Sequence, residues 1–221
     1  MPPTHLTRRD VDARPSGLIL MLHGGQANSL APVDDRSASW RRSSWMMGHI
    51  RERVNRAGVS IWLLRYQHRG WNARDGVDPS PVVDVRWALD EVRRELRTLP
   101  VVLLGHSMGA RAAVSVADDP NVAGVVALAP WLPADEPVEG LAGKHLAAAH
   151  GRLDRITSYG ETETFVRRAG SVAVSAEMQD MGRVGHYMLR RIPHWNEFAV
   201  RTALGFLPAA RTEDGAGPNG Q

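Results

Sequence analysis

Between residues 100 and 117 the chain changes structural period inside one tight turn, and few folds accommodate that. Pro100-Val101-Val102-Leu103-Leu104 is a continuous apolar run, as expected of a strand buried on both faces. Ala110 to Ala117 is rich in small residues and reads as a closely packed helix. Between them lies Gly105-His106-Ser107-Met108-Gly109. A strand that passes through G-x-S-x-G into a helix holds its serine on a strained turn, with the hydroxyl projecting above the sheet. Side chains at Gly105 and Gly109 would collide with the neighbouring strand and helix.

The rest of the chain repeats the alternation. Leu18-Ile19-Leu20-Met21-Leu22 and Val59 to Leu64 read as buried strands. A polar loop is expected from Gln26 to about Ser43. Met46, Ile50, Val54 and Ala57 then recur at helical spacing, and Gly58 serves as a C-terminal cap. After a loop from Gln67 to Ser80, Val85, Leu89, Val92 and Leu96 mark a second helix. Beyond the serine turn come strands at Val122–Ala129 and Lys144–Ala149, a helix at Glu161–Ala169 and an extended run at Val172–Ala176. Trp195, Phe198, Thr202 and Phe206 mark a final amphipathic helix. Alternating strands and helices predict an α/β fold, with a mostly parallel central sheet and helices on both faces. Residues 1–208 read as a single domain whose first ~15 residues are weakly ordered. Residues 209–221 lack apolar periodicity and read as a disordered tail.

Composition narrows the function. The chain has 221 residues and no Cys, so disulfides and thiolate metal sites are excluded. Its net charge is +3. The basic residues are nearly all Arg, with Lys144 the sole Lys. They are scattered among acids rather than gathered on one face, which argues against nucleic-acid binding. No secretory signal and no apolar run of transmembrane length is visible. The expectation is a cytoplasmic protein acting on a small molecule, with no stable membrane association. Nothing in the sequence sets its oligomeric state.

In parallel sheets, ligands bind beyond the carboxyl ends of the strands. The chemistry-bearing residues fall there. His23-Gly24-Gly25 comes after the first strand and Ser107 after the central one. Asp154 comes after the strand ending near Ala149, and His186 after the last strand. A serine hydroxyl is a poor nucleophile at neutral pH. It needs a base in hydrogen-bond reach, and the base needs a partner to hold its tautomer. Asp135 and Glu136 rival Asp154 as the acid, and His194 rivals His186 as the base. His23 and His106 read as framework residues bonded to backbone. The remaining histidines show no metal-ligand spacing, so neither a metal nor a cofactor is expected.

Together L-x-L-H-G-G at Leu20–Gly25, G-H-S-M-G at 105–109, H-G-x-x-D at His150–Asp154 and G-H at Gly185-His186 resemble the α/β-hydrolase family from about Leu18 to Leu207. The resemblance implies Ser107 as nucleophile, Asp154 as acid and His186 as base. It also implies an oxyanion hole built from the backbone N–H groups of Gly25 and Met108. Only about seventeen residues precede the first H-G strand, so the family's N-terminal hairpin is expected to be reduced. Pro130 to Gly143 is too short for a cap domain. This is similar to the compact, cap-less branch, with dienelactone-hydrolase-like and small serine esterase-like members. Dienelactone hydrolases typically carry Cys at the elbow, so Ser107 argues against that exact activity.

The expectation is a serine hydrolase that cleaves an ester, thioester, lactone or amide of a small acyl group through an acyl-enzyme. Acyl transfer, or a non-catalytic ligand-binding role on the same fold, is the alternative. Gln26, Trp71 and Trp131 lie in strand-end loops and are candidate pocket residues, with core packing as the other reading for the two tryptophans. Arg65 and Arg69 read as surface ion pairs or as contacts to an anionic substrate.

Overall fold

The computed structural model describes residues 4–208. The expected tail at 209–221 lies outside them. Among the described residues the sheet has seven strands: β1 (His5–Arg9), β2 (Gly17–Leu22), β3 (Val59–Arg65), β4 (Val101–His106), β5 (Val122–Leu128), β6 (His145–His150) and β7 (Ser175–Asp180). Their order across the sheet is β1-β3-β2-β4-β5-β6-β7. Every pairing is parallel except β1 with β3. The five helices are α1 (Ala38–Arg56), α2 (Ser80–Leu96), α3 (Met108–Ser115), α4 (Tyr159–Ala169) and α5 (Ile192–Phe206).

The apolar strands bury both faces, as parallel sheets covered by helices require. Leu18, Leu20 and Leu22 point into one layer, beneath α2, α3 and α4. Ile19 and Met21 point into the other, beneath α1 and α5. Each such side chain contributes roughly 1.5–3 kcal/mol when fully buried. The expected α/β architecture is thus present, without a cap: a 3₁₀ turn at Glu139–Leu141 is the one helical element between β5 and β6.

Three boundaries depart from the sequence reading. The first fifteen residues, expected to be weakly ordered, supply strand β1, which pairs in register from His5↔Arg65 to Arg9↔Ile61. It is the one antiparallel strand, in keeping with a reduced hairpin. Helix α1 begins at Ala38, not near Ser43. Of its first residues, Ala38, Ser39 and Arg42 line a cleft while Trp40 packs against the core, so no apolar period marks the start. β7 runs over Ser175–Asp180, not Val172–Ala176. It is an edge strand and half-exposed, so it lacks the continuous apolar signature of the inner strands.

The order of the strands reverses at β2. The chain moves outward from β2 to β3, then returns past β2 to β4. That switch point opens a crevice at the carboxyl ends of β2 and β4.

Candidate active site

The turn after β4 is as strained as its sequence implies. Ser107 has φ +54° and ψ −118°. A Cβ on Gly105 would stand 2.4 Å from Ala110 Cα, and one on Gly109 2.3 Å from the Leu22 carbonyl oxygen. Only glycine lets β2, β4 and α3 meet so closely. The Ser107 N–H donates to the Leu128 carbonyl at 3.0 Å, tying the turn to β5.

Three strand ends deliver side chains that touch. His186 Nε2 lies 3.0 Å from Ser107 Oγ. His186 Nδ1 lies 2.7 Å from Asp154 Oδ2. A carboxylate only accepts, so Nδ1 carries the proton and the Nε2 lone pair faces the serine. Asp154 Oδ2 also accepts from the Thr157 hydroxyl at 3.0 Å and from His150 Nε2 at 3.1 Å. Its Oδ1 accepts from the N–H groups of Ile156 (2.8 Å) and Thr157 (3.0 Å). Burial pushes this carboxyl's pKa up, but the hydrogen bonds from His150, His186 and the two N–H groups outweigh it. The group is held well below the usual carboxylate range and stays ionised.

None of the rivals touches Ser107, Asp154 or His186. Glu136 accepts from Arg111 Nε at 2.6 Å. His194 lies in the exposed first turn of α5. His23 is fully buried. Its Nδ1 donates to the Gly24 carbonyl at 2.7 Å and its Nε2 accepts from the Tyr66 N–H at 3.3 Å. Burial drives its pKa down to about 4, so it is neutral framework. His106 donates from Nε2 to the His186 carbonyl at 3.1 Å. Burial, and after it the neighbouring His186, takes its pKa to about 3.

Met108 is the first residue of α3, so its N–H has no intrahelical acceptor. The Gly25 N–H likewise donates to no described backbone group. Gly25 is constrained for a reason the sequence did not show: a Cβ there would meet both Arg69 O and Met108 Cε at 2.4 Å.

A cavity of about 270 Å³ opens over Ser107. Its walls include Gly24, Gly25, Ala38, Arg42, Ile156 and Leu189. Gln26, Trp71 and Trp131, expected as pocket residues, are not among its lining side chains. Gln26 is bound through its backbone to Arg69 and Trp71. The two tryptophans pack edge-to-face, centroids 6.0 Å apart, and Arg111 lies 4.4 and 4.6 Å from their ring centres. Both rings thus pack against Arg111 of α3. The start of α1, expected as loop, forms the wall instead. Arg65 and Arg69 pair with Asp35 and Asp34. Thr157, and the contact of His150 with Asp154, also went unread. The (i, i+4) spacing of His150 and Asp154 was the available signal.

Among the described residues, no cluster of three or more His, Cys, Asp or Glu is placed to hold a metal, and no helix is long and apolar enough to cross a membrane.

No curated protein matches the sequence. Among solved structures, an alpha-beta serine hydrolase homologue from Coxiella burnetii superposes with a TM-score of 0.64 at 17% identity, covering 90% of each chain. A lidless a/b serine hydrolase from Xanthomonas campestris gives 0.64 at 16%, covering 93% of this chain and 89% of its own. An esterase from the Planctomycetes species Thermogutta terrifontis, with propionate bound, gives 0.65 at 14%, covering 92% and 88%. At such identities the likeness is one of fold. The family model described as "Alpha/beta hydrolase family" matches residues 19–216. The chain therefore belongs to the alpha/beta hydrolase family, in its lidless form.

Proposed function

We propose that the protein is a serine hydrolase that cleaves small esters through an acyl-enzyme. One observation carries the reading: Ser107 Oγ, the His186 ring and Asp154 Oδ2 stand in a continuous line at 3.0 and 2.7 Å. On this reading His186 Nε2 takes the Ser107 proton as Oγ attacks the carbonyl carbon. The Met108 and Gly25 N–H groups receive the developing oxyanion, a type of contact whose loss costs roughly 2.7–4 kcal/mol per donor. His186 then gives its proton to the leaving alcohol, and water reverses the sequence with His186 as base. Asp154 holds the imidazole and stabilises its charged form.

The cavity, about 270 Å³, lies just below the ~300–1,000 Å³ of pockets for drug-sized ligands, which supports a small substrate. Bound propionate and butyrate in the Thermogutta esterase favour the same class. The test is a fluorophosphonate probe with mass-spectrometric mapping of the adduct. It should label Ser107 and no other residue, and Ser107→Ala should lose both labelling and p-nitrophenyl acetate hydrolysis while keeping its fold. Undiminished hydrolysis by that variant refutes the mechanism.

A further inference from the structure

The base sits on a segment with almost no secondary structure of its own. From Met181 to Arg190 the chain is neither helix nor strand. Met188 has φ +55° and Arg191 φ +58°, conformations that side-chain-bearing residues rarely hold unaided. Around His186 itself, the backbone bond from the Met188 N–H to the Gly185 carbonyl is long, at 3.4 Å. Yet proton transfer needs His186 Nε2 held within a few tenths of an ångström of Ser107 Oγ.

Three successive carbonyls of this segment are held from outside. His106 Nε2 donates to the His186 carbonyl at 3.1 Å. Arg42 Nε donates to the Tyr187 carbonyl at 3.0 Å, and Arg42 Nη2 to the Met188 carbonyl at 3.2 Å. Arg42 comes from α1, some 145 residues away in sequence. Its guanidinium is a planar fork, so two donors in fixed relation meet two consecutive carbonyls; a lysine ammonium reaches as a single point. Among the described residues no carboxylate lies within ion-pairing distance of Arg42. Its Nη1 is enclosed and meets no acceptor there. Its hydrogen-bond acceptors are thus backbone carbonyls, its guanidinium also stands 5.2 Å from the Trp45 ring centre, and burial lowers its pKa.

We infer that Arg42 is a positioning residue for the catalytic base: with His106 it latches the His186–Met188 backbone to α1 and to the serine turn, and so sets the reach of His186 to Ser107. The inference rests on the serine-hydrolase reading for its kinetics, though the latch itself is read from the geometry alone. A competing assignment makes Arg42, which lines the cavity, a recognition group for an anionic substrate. The two separate cleanly. A latch acts on kcat for every ester, whereas anion recognition acts on KM for charged ones.

The experiment compares wild type with Arg42→Lys, which keeps the charge and loses the fork, and Arg42→Ala, which opens a hole for methylguanidinium. Substrates are a neutral short-chain p-nitrophenyl ester and one whose acyl group carries a carboxylate. The expected result is a fall in kcat on the order of 10- to 100-fold in both variants on both esters, the scale of an ångström-sized misplacement. KM should stay within about twofold, and methylguanidinium should restore Arg42→Ala in part. An independent reading comes from proton NMR. The low-field signal of the His186 Nδ1–H bonded to Asp154 should be sharp in wild type and broadened in Arg42→Lys. Unchanged kcat with an unchanged low-field signal overturns the latch, as does a rise in KM confined to the anionic ester. If wild type neither hydrolyses esters nor takes the fluorophosphonate, the functional reading fails, while the NMR comparison still judges the latch.

Discussion

Replacing Asp154 by Asn keeps the shape of the side chain and removes its charge, and the surroundings determine the damage. The carboxylate receives five donors: three on Oδ2, from His186, Thr157 and His150, and two on Oδ1, from the N–H groups of Ile156 and Thr157. A carboxamide has one acceptor oxygen. The backbone donors cannot turn away, so the oxygen stays with them and the NH₂ faces His186 Nδ1 across 2.7 Å. Two N–H groups at that distance repel. His186 must move, or carry its proton on Nε2, where it cannot accept the Ser107 proton. The transition state also loses the attraction between carboxylate and imidazolium. At an effective dielectric near 20 and a charge separation of about 4 Å this is about 4 kcal/mol, or a fall in kcat/KM on the order of 10³. The tautomer penalty adds to it. The assay is p-nitrophenyl acetate hydrolysis, with active sites counted by fluorophosphonate titration and folding checked by circular dichroism. Glu136→Gln, whose parent side chain pairs with Arg111, is the control and should stay close to wild type. If well-folded Asp154→Asn keeps kcat/KM within about tenfold, or if Glu136→Gln is the damaging change, the assignment of the acid is wrong.

The same structure fixes four further outcomes. His186→Ala should be nearly as damaging as loss of the serine, whereas His194→Ala should leave turnover intact; the reverse pattern would move the base to α5. His23 is buried with its pKa near 4 against about 6.5 unfolded, so its share of stability is present above pH ~6.5 and drains away as pH falls towards 4, by about 3 kcal/mol in all. Urea unfolding at pH ~7 and ~5 should show the drop, His23→Gln should flatten it, and an equal slope in both proteins would refute it. Gly109→Ala drives a Cβ to 2.3 Å from the Leu22 carbonyl and should cost roughly 1–3 kcal/mol together with much of the labelling rate; an unshifted melting temperature would contradict that contact. Across p-nitrophenyl esters, kcat/KM should peak at short acyl chains because the cavity holds few methylenes at ~0.8 kcal/mol each, and a steady climb to long chains would point to a groove beyond it.

The inner strands were legible because burial on both faces writes itself as an unbroken apolar run, as at Leu18–Leu22 and Val101–Leu104. The serine turn was legible because its glycines answer to contacts inside one β-turn-α unit. The meeting of Ser107, Asp154 and His186 was legible because a parallel sheet brings its strand ends together. What escaped depends on neighbours distant in the chain. Ala38 to Arg42 has no apolar period, since Ala38, Ser39 and Arg42 line a cleft, so the start of α1 read as loop and the pocket was sought at Gln26, Trp71 and Trp131. Arg42 finds its acceptors some 145 residues away, and no spacing rule reaches that far. β7 and β1 are edge strands, where one face and one row of backbone groups answer to solvent and the pattern weakens.

The position of β4 at the centre of the sheet, with three strands on either side, also orders events in time. As a nascent chain emerges, β1 to β5 can pair as a contiguous sheet without any residue beyond Leu128. That half-built molecule already carries Ser107 on its turn, but neither Asp154 nor His186, so its hydroxyl is inert. Besides the β1 edge that the finished sheet keeps, it exposes β5, Val122-Ala-Gly-Val-Val-Ala-Leu128, an apolar strand with unpaired backbone groups of the kind that joins one chain to another. Vulnerability to aggregation therefore peaks between the synthesis of β5 and the docking of β6, while the contacts of Ser107 with His186 and of His186 with Asp154 close only after β7 and the segment behind it are seated. On the proposed serine-hydrolase reading, the onset of ester cleavage during translation would report the last act of folding, and chains stopped short of residue 145 would collect in aggregates through the uncovered β5 edge.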